Sequence, residues 1–316
     1  MKIVFMGTPD FAVQTLEKCI EHHNVVGVFT QPDKPKGRGK KVSPTPVKIT
    51  AEEHDINVYQ PDKIRKSEWV KLVKALNPDV IVVVAYGQIL SQEILDVPKF
   101  GCINVHASLL PKYRGAAPIN WAIANGEKFS GITTMQMDSG LDTGDMLLKC
   151  KVEIKDDMNA GELHDLLAAK GSELLIETLT AIENGEIVPI SQIDEESSYA
   201  SMLNKELALI DWNMSAVMIY NRIRGFNPWP VAHTKYKNET LKIFRAKPIE
   251  EFPVEGSNHM AGKVLSNEKT GIYVMTGNGV LLIEELQLGS LKKMSAHAFL
   301  LGHEIEIGTV LGEMEA

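Results

Sequence analysis

Short apolar runs alternate with stretches of helical periodicity through the first half of the chain. Residues 2–7 (KIVFMG) form a β-branched and aromatic run that ends in glycine. Phe11, Val13, Leu16 and Ile20 then recur at near-helical spacing over 10–22. Strand-like runs follow at 24–31 (NVVGVFTQ) and 57–60 (NVYQ). Trp69, Leu72, Val73 and Leu76 share one face of a predicted helix over 67–76, which Asn77-Pro78 ends. Residues 79–87 (DVIVVVAYG) are apolar almost throughout, as a strand covered on both faces should be. Further strands are predicted at 101–108 (GCINVHAS), 131–138 and 146–154, the last antiparallel or peripheral, and a Leu-rich helix at 160–183. Repeated strand–helix–strand units predict a Rossmann-like α/β fold with a mostly parallel sheet.

The character changes near residue 185. Residues 186–204 are acidic, Ser-rich and weakly periodic, and they read as a linker between a first domain, 1–185, and a second, 205–316. The second domain opens with a predicted helix over 214–223. Short strands follow at 231–236, 240–246, 261–266, 271–276 and 279–288, with Asn-Gly at 278–279 between the last two. Short strands at near-regular spacing predict a small OB-like β-barrel, with 294–300 (MSAHAFL) as a closing helix.

A length of 316 residues agrees with two domains, since single cores rarely grow beyond about 250. No apolar run approaches the ~18 residues of a membrane helix. The opening MKIVFMGTPDF has neither the long apolar stretch nor the cleavage site of a signal peptide, so a cytoplasmic protein is expected. Cys19, Cys102 and Cys150 are too widely spaced for a Cys-x-x-Cys motif, and no disulfide scaffold is expected. The net charge of −8 does not suggest a nucleic-acid binder, but it hides two basic windows. Residues 34–48 carry Lys34, Lys36, Arg38, Lys40, Lys41 and Lys48 with no acid. Residues 222–247 carry Arg222, Arg224, Lys235, Lys237, Lys242, Arg245 and Lys247 against Glu239 alone. Such windows are either solvated faces or patches that steer a polyanion.

Only Gly7 is present where a dinucleotide site would need G-x-G-x-x-G, which disfavours a nicotinamide oxidoreductase. The stretch 101–123 is richer in chemistry. On a strand, Asn104 and His106 point to one face and Ile103 and Val105 to the other. They lie near the carboxyl end of a central strand, where open α/β sheets bind ligands. Asn supplies an amide donor, and His exchanges protons near neutrality. A buried structural histidine remains the alternative. No G-x-S-x-G nucleophile elbow occurs. The loop 135–148 (MQMDSGLDTGDMLL) brings Asp138, Asp142 and Asp145 between two strands. Its spacing lacks the terminal Glu of a calcium loop. One carboxylate could instead pair with His106, and at least one of the three should be a turn former.

These segments carry a resemblance. GTPDFA (7–12), GVFTQPD (27–33), GRGKK (37–41), VVVAYG (82–87), GCINVHASLLPKYRGAAPI (101–119), MQMDSGLDTGD (135–145) and FNPWP (226–230) resemble the 10-formyltetrahydrofolate-dependent formyltransferase family over essentially the whole chain. GRGKK and FNPWP favour its methionyl-tRNA-dependent branch. Ala107 stands where the family often has Gly.

The resemblance implies transfer of a formyl group from 10-formyltetrahydrofolate to the amine of methionyl initiator tRNA, with no metal and no obligate protein partner. Asn104 would donate to the developing oxyanion, worth about 3 kcal/mol for such a donor. His106 would help move the amine proton, and Asp142 would hold His106. Ser108, Leu109, Leu110 and Pro111 would line the folate site, with Val84, Tyr86 and Gly87 on another wall. In 1–185 this makes a folate-binding catalytic domain; in 205–316 it implies a tRNA-binding one. Arg38, Lys40 and Lys41 would contact the acceptor arm, joined by Arg222, Arg224, Lys242, Arg245 and Lys247. Two readings from other classes stay open at this point: a formyl-folate enzyme acting on a small amine, and an RNA-binding protein with a degenerate site.

Overall fold

The apolar run at 79–87 becomes a strand in which every residue from Val80 to Val84 is buried. It lies within a seven-stranded sheet. The structure is a computed structural model that describes residues 1–36, 41–249, 251–252 and 260–313. The chain divides into two compact units. The first comprises Met1–Pro118, Phe129–Glu153 and His164–Ala200, and the second Ile119–Lys128, Ile154–Leu163 and Ser201–Ala316.

The strands of the first unit are β1 (Lys2–Gly7), β2 (Asn24–Phe29), β3 (Lys34–Lys36), β4 (Lys41–Ser43), β5 (Val58–Tyr59), β6 (Val80–Val84), β7 (Cys102–His106), β8 (Arg114–Gly115), β9 (Phe129–Gln136), β10 (Met146–Glu153) and β11 (Tyr199–Ala200). The main sheet has the order β10-β9-β7-β6-β1-β2-β5. From β5 to β7 all pairings are parallel, and β9 and β10 add antiparallel. The chain runs outward from β1 through β2 to β5, then returns to β6 on the other side of β1. The strand order therefore reverses between β1 and β6, and the crevice at their carboxyl ends is where such sheets take ligands.

The first unit's helices are α1 (Val13–His22), α2 (Pro46–Glu53), α3 (Ser67–Leu76), α4 (Gln92–Leu95) and, from His164 on, α6 (Ala160–Asn184), whereas α5 (Pro118–Ala124) falls in the second unit from Ile119 on. Asn77 ends α3 in the left-handed conformation (φ 47°), which Asn tolerates better than most residues. The basic window 34–48 differs from a plain loop. β3 and β4 pair as a hairpin with Lys34 opposite Ser43, and Thr45 caps α2 by accepting from the Lys48 N–H.

The stretch 186–204 also differs from expectation. Ile190 exchanges two backbone hydrogen bonds with Met146, and β11 pairs with β8. Residues up to Ala200 thus belong to the first unit. Backbone pairing needs no apolar side chains, so a polar composition concealed it.

The second unit contains α7 (Ala216–Gly225), β12 (His233–Tyr236), β13 (Glu239–Ile249), β14 (Val264–Glu268), β15 (Gly271–Met275), β16 (Val280–Leu288), β17 (Met294–Ser295) and α8 (Ala296–Leu300). Its sheet is antiparallel, in the order β12-β13-β16-β15-β14 with β17 on β16. Among the described residues β12 and β14 do not pair, so the expected OB-like barrel is observed as an open antiparallel sheet. Ile219, Ile223, Leu241, Val274, Leu281 and Phe299 are part of its core. The helix expected over 294–300 is shortened to α8, because Met294 and Ser295 pair with β16 first.

Burial ranks the thiols. Cys102 is pushed up to about 12, and Cys19, also buried, is pushed up too. Cys150 on β10 is half-buried. A thiolate-directed reagent should therefore modify Cys150 first in the native protein, with Cys19 and Cys102 reacting on unfolding. Peptide mapping after timed alkylation checks this order.

Candidate active site

Strand alternation on β7 sends Val105 toward α6 and Asn104 and His106 the other way. Val105 Cγ1 lies 3.0 Å from where a Cβ on Gly171 of α6 would stand. Asn104 and His106 are both buried, at 8% and 5% exposure. Beyond β7 the chain turns sharply and is tied down at each step. Ser108 Oγ donates to the Lys112 carbonyl at 2.7 Å. Thr133 Oγ1 on β9 donates to the Ser108 carbonyl at 2.7 Å and accepts from the Leu110 N–H at 3.1 Å. Lys149 Nζ donates to the Leu110 carbonyl at 2.6 Å, and desolvation lowers the pKa of that ammonium. The turn brings the Tyr113 carbonyl to 2.9 Å from His106 Nε2.

The three acids of the loop 135–148 separate into distinct roles. Asp138 is a turn former: its carboxylate accepts from the Gly140 N–H at 3.0 Å and from Thr143 Oγ1 at 2.8 Å. Asp145 accepts from Ser191 Oγ at 2.8 Å. Asp142 alone reaches the strand pair. Its Oδ2 accepts from the Gly115 N–H at 2.8 Å and stands 3.7 Å from His106 Nδ1, and its Oδ1 is 3.4 Å from Asn104 Nδ2. Asn104, His106 and Asp142 therefore form one cluster.

A carbonyl only accepts, so in the neutral ring the His106 proton sits on Nε2, toward Tyr113. Nδ1 then presents its lone pair on the Asp142 side. At 3.7 Å the carboxylate is too far for a direct hydrogen bond but near enough to stabilise an imidazolium. The site can take a proton at Nδ1 and hold the resulting charge, beside an amide donor on Asn104.

The residues expected on the folate walls fall into two groups. Val84 and Ser108 are fully buried, and Leu110 packs with Met135 and Met146. Tyr86 corrects the expectation for its side chain. Its ring is buried in an apolar cluster with Phe29, Ile64 and Leu90, and burial raises the pKa of its hydroxyl. Its carbonyl accepts from Thr8 Oγ1 at 3.0 Å and Gln31 Nε2 at 3.1 Å. By contrast Leu109 and Pro111 are half-buried, and Ala85 and Gly87 are exposed. Ala85 (φ 47°) and Gly87 (φ 81°) take left-handed conformations, so this edge of the switch point offers backbone rather than bulky side chains. A flat heterocycle read by backbone groups fits such a wall.

Of the basic residues, Arg38 and Lys40 lie outside the described residues, and Lys41 is on β4. The root of the hairpin is braced: Lys48 Nζ contacts Asp33 Oδ2 at 2.8 Å and Gln60 Oε1 at 2.9 Å, which holds the Asp33 carboxyl below its usual range. In the second unit a register shift follows Ile243 on β13. Leu241, Ile243 and Ala246 are buried, while Lys242 is half-buried and Arg245 and Lys247 are exposed. The irregularity keeps these three cations on the outer side of the sheet. Arg245 and Lys247 share Glu284, at 2.9 and 3.2 Å, so the face keeps a positive excess. Arg222 is half-buried on α7. Arg224 departs from the sequence expectation. Its guanidinium is buried, donates to the Lys155 and Met158 carbonyls and to Asn221 Oδ1, and stacks on Tyr220. An arginine committed to three internal acceptors is a structural clasp and leaves the candidate RNA surface.

Sequence reasoning missed the Tyr113 carbonyl and the Gly115 N–H, because backbone groups carry no residue signature. It also missed Thr133, Lys149 and Gln192, whose partners lie far away in sequence. Among the described residues no group of three or more His, Cys, Asp or Glu is placed to hold a metal, and no helix is long and apolar enough to cross a membrane.

Residues 1–179 match the family described as "Formyl transferase", and residues 202–304 match "Formyl transferase, C-terminal domain". The methionyl-tRNA formyltransferase of Clostridium novyi is 54% identical over 312 residues, covering 98% of this chain and 100% of that protein. That of Alkaliphilus metalliredigens is 55% identical over 314 residues, covering 99% of each. Among solved structures, the N-formyltransferase from Helicobacter canadensis, in complex with folinic acid and dTDP-3-aminofucose, aligns with a TM-score of 0.65 at 20% identity, covering 90% of this chain and 98% of that one. HypX from Aquifex aeolicus, in complex with tetrahydrofolic acid, aligns with a TM-score of 0.60 at 19% identity, over 98% of this chain and 50% of that one. The two structural likenesses bear on the fold.

Proposed function

The chain belongs to the methionyl-tRNA formyltransferase family, and from that premise we propose that it transfers the formyl group of 10-formyltetrahydrofolate to the free amino group of methionyl initiator tRNA, giving the N-formylated form used in translation initiation. The observation that carries the reading is the convergence of Asn104, His106 and Asp142 at the carboxyl end of β7, within a chain more than half identical to its relatives over nearly its whole length.

The folate co-substrate supplies an activated formyl carbon on nitrogen. Attack by the methionyl amine places negative charge on the formyl oxygen and leaves a proton to be removed from nitrogen. Asn104 Nδ2 donates to that oxygen. His106 Nδ1 accepts the amine proton, while the Nε2–H bond to Tyr113 keeps the ring aligned. Asp142 faces the protonated ring across the 3.7 Å gap to Nδ1. The proton then passes to the departing folate nitrogen. Leu109, Pro111 and the exposed backbone of Ala85–Gly87 flank the folate ring. Arg38, Lys40 and Lys41, with Arg222, Lys242, Arg245 and Lys247, neutralise phosphates of the acceptor arm.

The deciding assay is transfer of labelled formyl from 10-formyltetrahydrofolate to methionyl initiator tRNA, with elongator tRNA and free amines as controls. Turnover on free amines alone would replace this reading with that of a small-amine formyltransferase. A second test uses salt. Replacing Lys242, Arg245 and Lys247 together by Ala should raise KM for the tRNA. It should also flatten the log–log salt dependence of binding by roughly 2–3 units, since each phosphate a cation neutralises adds a little under one to the slope. Arg38→Ala should flatten it by roughly 1 and leave folate affinity unchanged. Slopes equal to that of the parent chain would show that these cations only solvate their surfaces.

A further inference from the structure

We propose that Gln192 is a positioning residue for the proposed formyl transfer, its side-chain amide setting the backbone that aims the Asp142 carboxylate; the proposal rests on the reading of Asp142 given above. Gln192 lies in the stretch whose composition suggests a linker. Its Nε2 donates to the Asp142 carbonyl at 2.8 Å and to the Gly144 carbonyl at 2.7 Å. One amide nitrogen thus spends both of its hydrogens on two carbonyls of the acidic loop. Its Oε1 accepts from Arg114 Nε at 3.0 Å. Arginine only donates, so the orientation of the amide is fixed: oxygen toward Arg114, nitrogen toward the loop. The Arg114 side chain is 3% exposed and is held in turn by Asp194, at 2.9 Å.

The connections close a ring. Gly115, the residue after Arg114, donates its N–H to the Asp142 carboxylate. The Arg114–Gly115 pair therefore grips Asp142 twice: directly through the carboxylate, and through Gln192 at the carbonyl. Asp142 needs this support. It adopts φ 54°, a left-handed conformation that is strained for residues with a side chain. Relaxation to an extended conformation would swing the carboxylate away from His106. Gln192 itself has no contact with His106 or Asn104 among its hydrogen bonds, so it acts through Asp142 alone.

The test uses the full-length chain and the variant Gln192→Glu, which keeps an acceptor for Arg114 but loses both donors to the loop. Labelled-formyl kinetics with each substrate varied should give a kcat about 10- to 100-fold lower, as for a sub-ångström to ångström misplacement of a reacting group, with both KM values nearly unchanged. In an Asp142→Ala background the same change should cost nothing further. Amide exchange at Gly115 reads the placement of the carboxylate without reference to turnover. It should accelerate in Gln192→Glu, as in Asp142→Ala, by more than the accompanying fall in melting temperature accounts for. An unaltered Gly115 exchange rate overturns the proposal, as does an equal loss of kcat in both backgrounds. A parent chain that fails to formylate methionyl-tRNA would overturn the functional reading instead, while the exchange experiment still decides whether Gln192 positions Asp142.

Discussion

Replacing His106 by Ala should lower kcat at least ~100-fold, the scale of general acid–base assistance, while folate binding stays close to that of the parent chain. Its two ring nitrogens face the Tyr113 carbonyl, at 2.9 Å, and Asp142 Oδ2, at 3.7 Å. Ala removes proton transfer but also a buried hydrogen bond, worth about 1 kcal/mol. His106→Gln separates the two effects, because its amide nitrogen stands near the place of Nε2 and can still donate toward the Tyr113 carbonyl, yet it cannot carry a proton. Both variants should lose turnover, and Gln should lose less stability. Asp142→Asn makes the complementary change. It retains an acceptor for the Gly115 N–H while removing the charge opposite Nδ1, and should also cost ~100-fold in kcat. Steady-state kinetics, paired with folate titration, measure all three. Turnover near that of the parent in any variant would remove that group from the mechanism.

The strands β1, β6 and β7 are legible in the sequence because burial on both faces favours a run of apolar residues, and β2 through its β-branched Val25, Val26 and Val28. Asn104 and His106 are legible for a related reason: polar side chains on alternate positions of such a run must face something other than core. The missed elements obey forces that leave weaker traces. The cap of α2, Thr45 before Pro46, is a genuine helix-start signal, but it sits in a tract dominated by charge. The 186–200 segment is held through backbone pairing and through Arg114, Gln192 and Asp194, contacts spanning about eighty residues that no local pattern encodes. Arg224 escapes the sequence reading because charge counted along the chain does not say which cations are satisfied internally. Tyr86 shows the same limit on the apolar side: its backbone and its ring serve different surfaces, and only the fold separates them.

Gly144→Ala should be as damaging to turnover as the loss of a catalytic group, although residue 144 touches no substrate in the proposed reaction. A Cβ at this position would stand 1.8 Å from the Gln136 carbonyl oxygen, 3.0 Å from its carbon and 3.3 Å from the Asp138 nitrogen. All three are backbone atoms, so no side chain can turn aside to make room. Nor can the strand yield easily, because the Gln136 N–H donates to the Asp145 carbonyl at 2.8 Å and ties the two arms of the loop together across the same point. The loop must therefore open by more than an ångström beside Asp142, whose carboxylate depends on a 2.8 Å bond to Gly115. A shift of that size costs about 100-fold in rate when it misplaces a reacting group. The overpacking itself should lower stability by about 1–3 kcal/mol. Gly140→Ala provides the comparison. Its Cβ would meet Thr143 Oγ1 at 1.9 Å, the end of a side chain that can rotate at the expense of its bond to Asp138. That variant should keep most of its turnover. Thermal melts with kinetics on the two variants separate the cases, and a Gly144→Ala chain with the parent's kcat would mean that the arms of the loop do not close on one another at this residue.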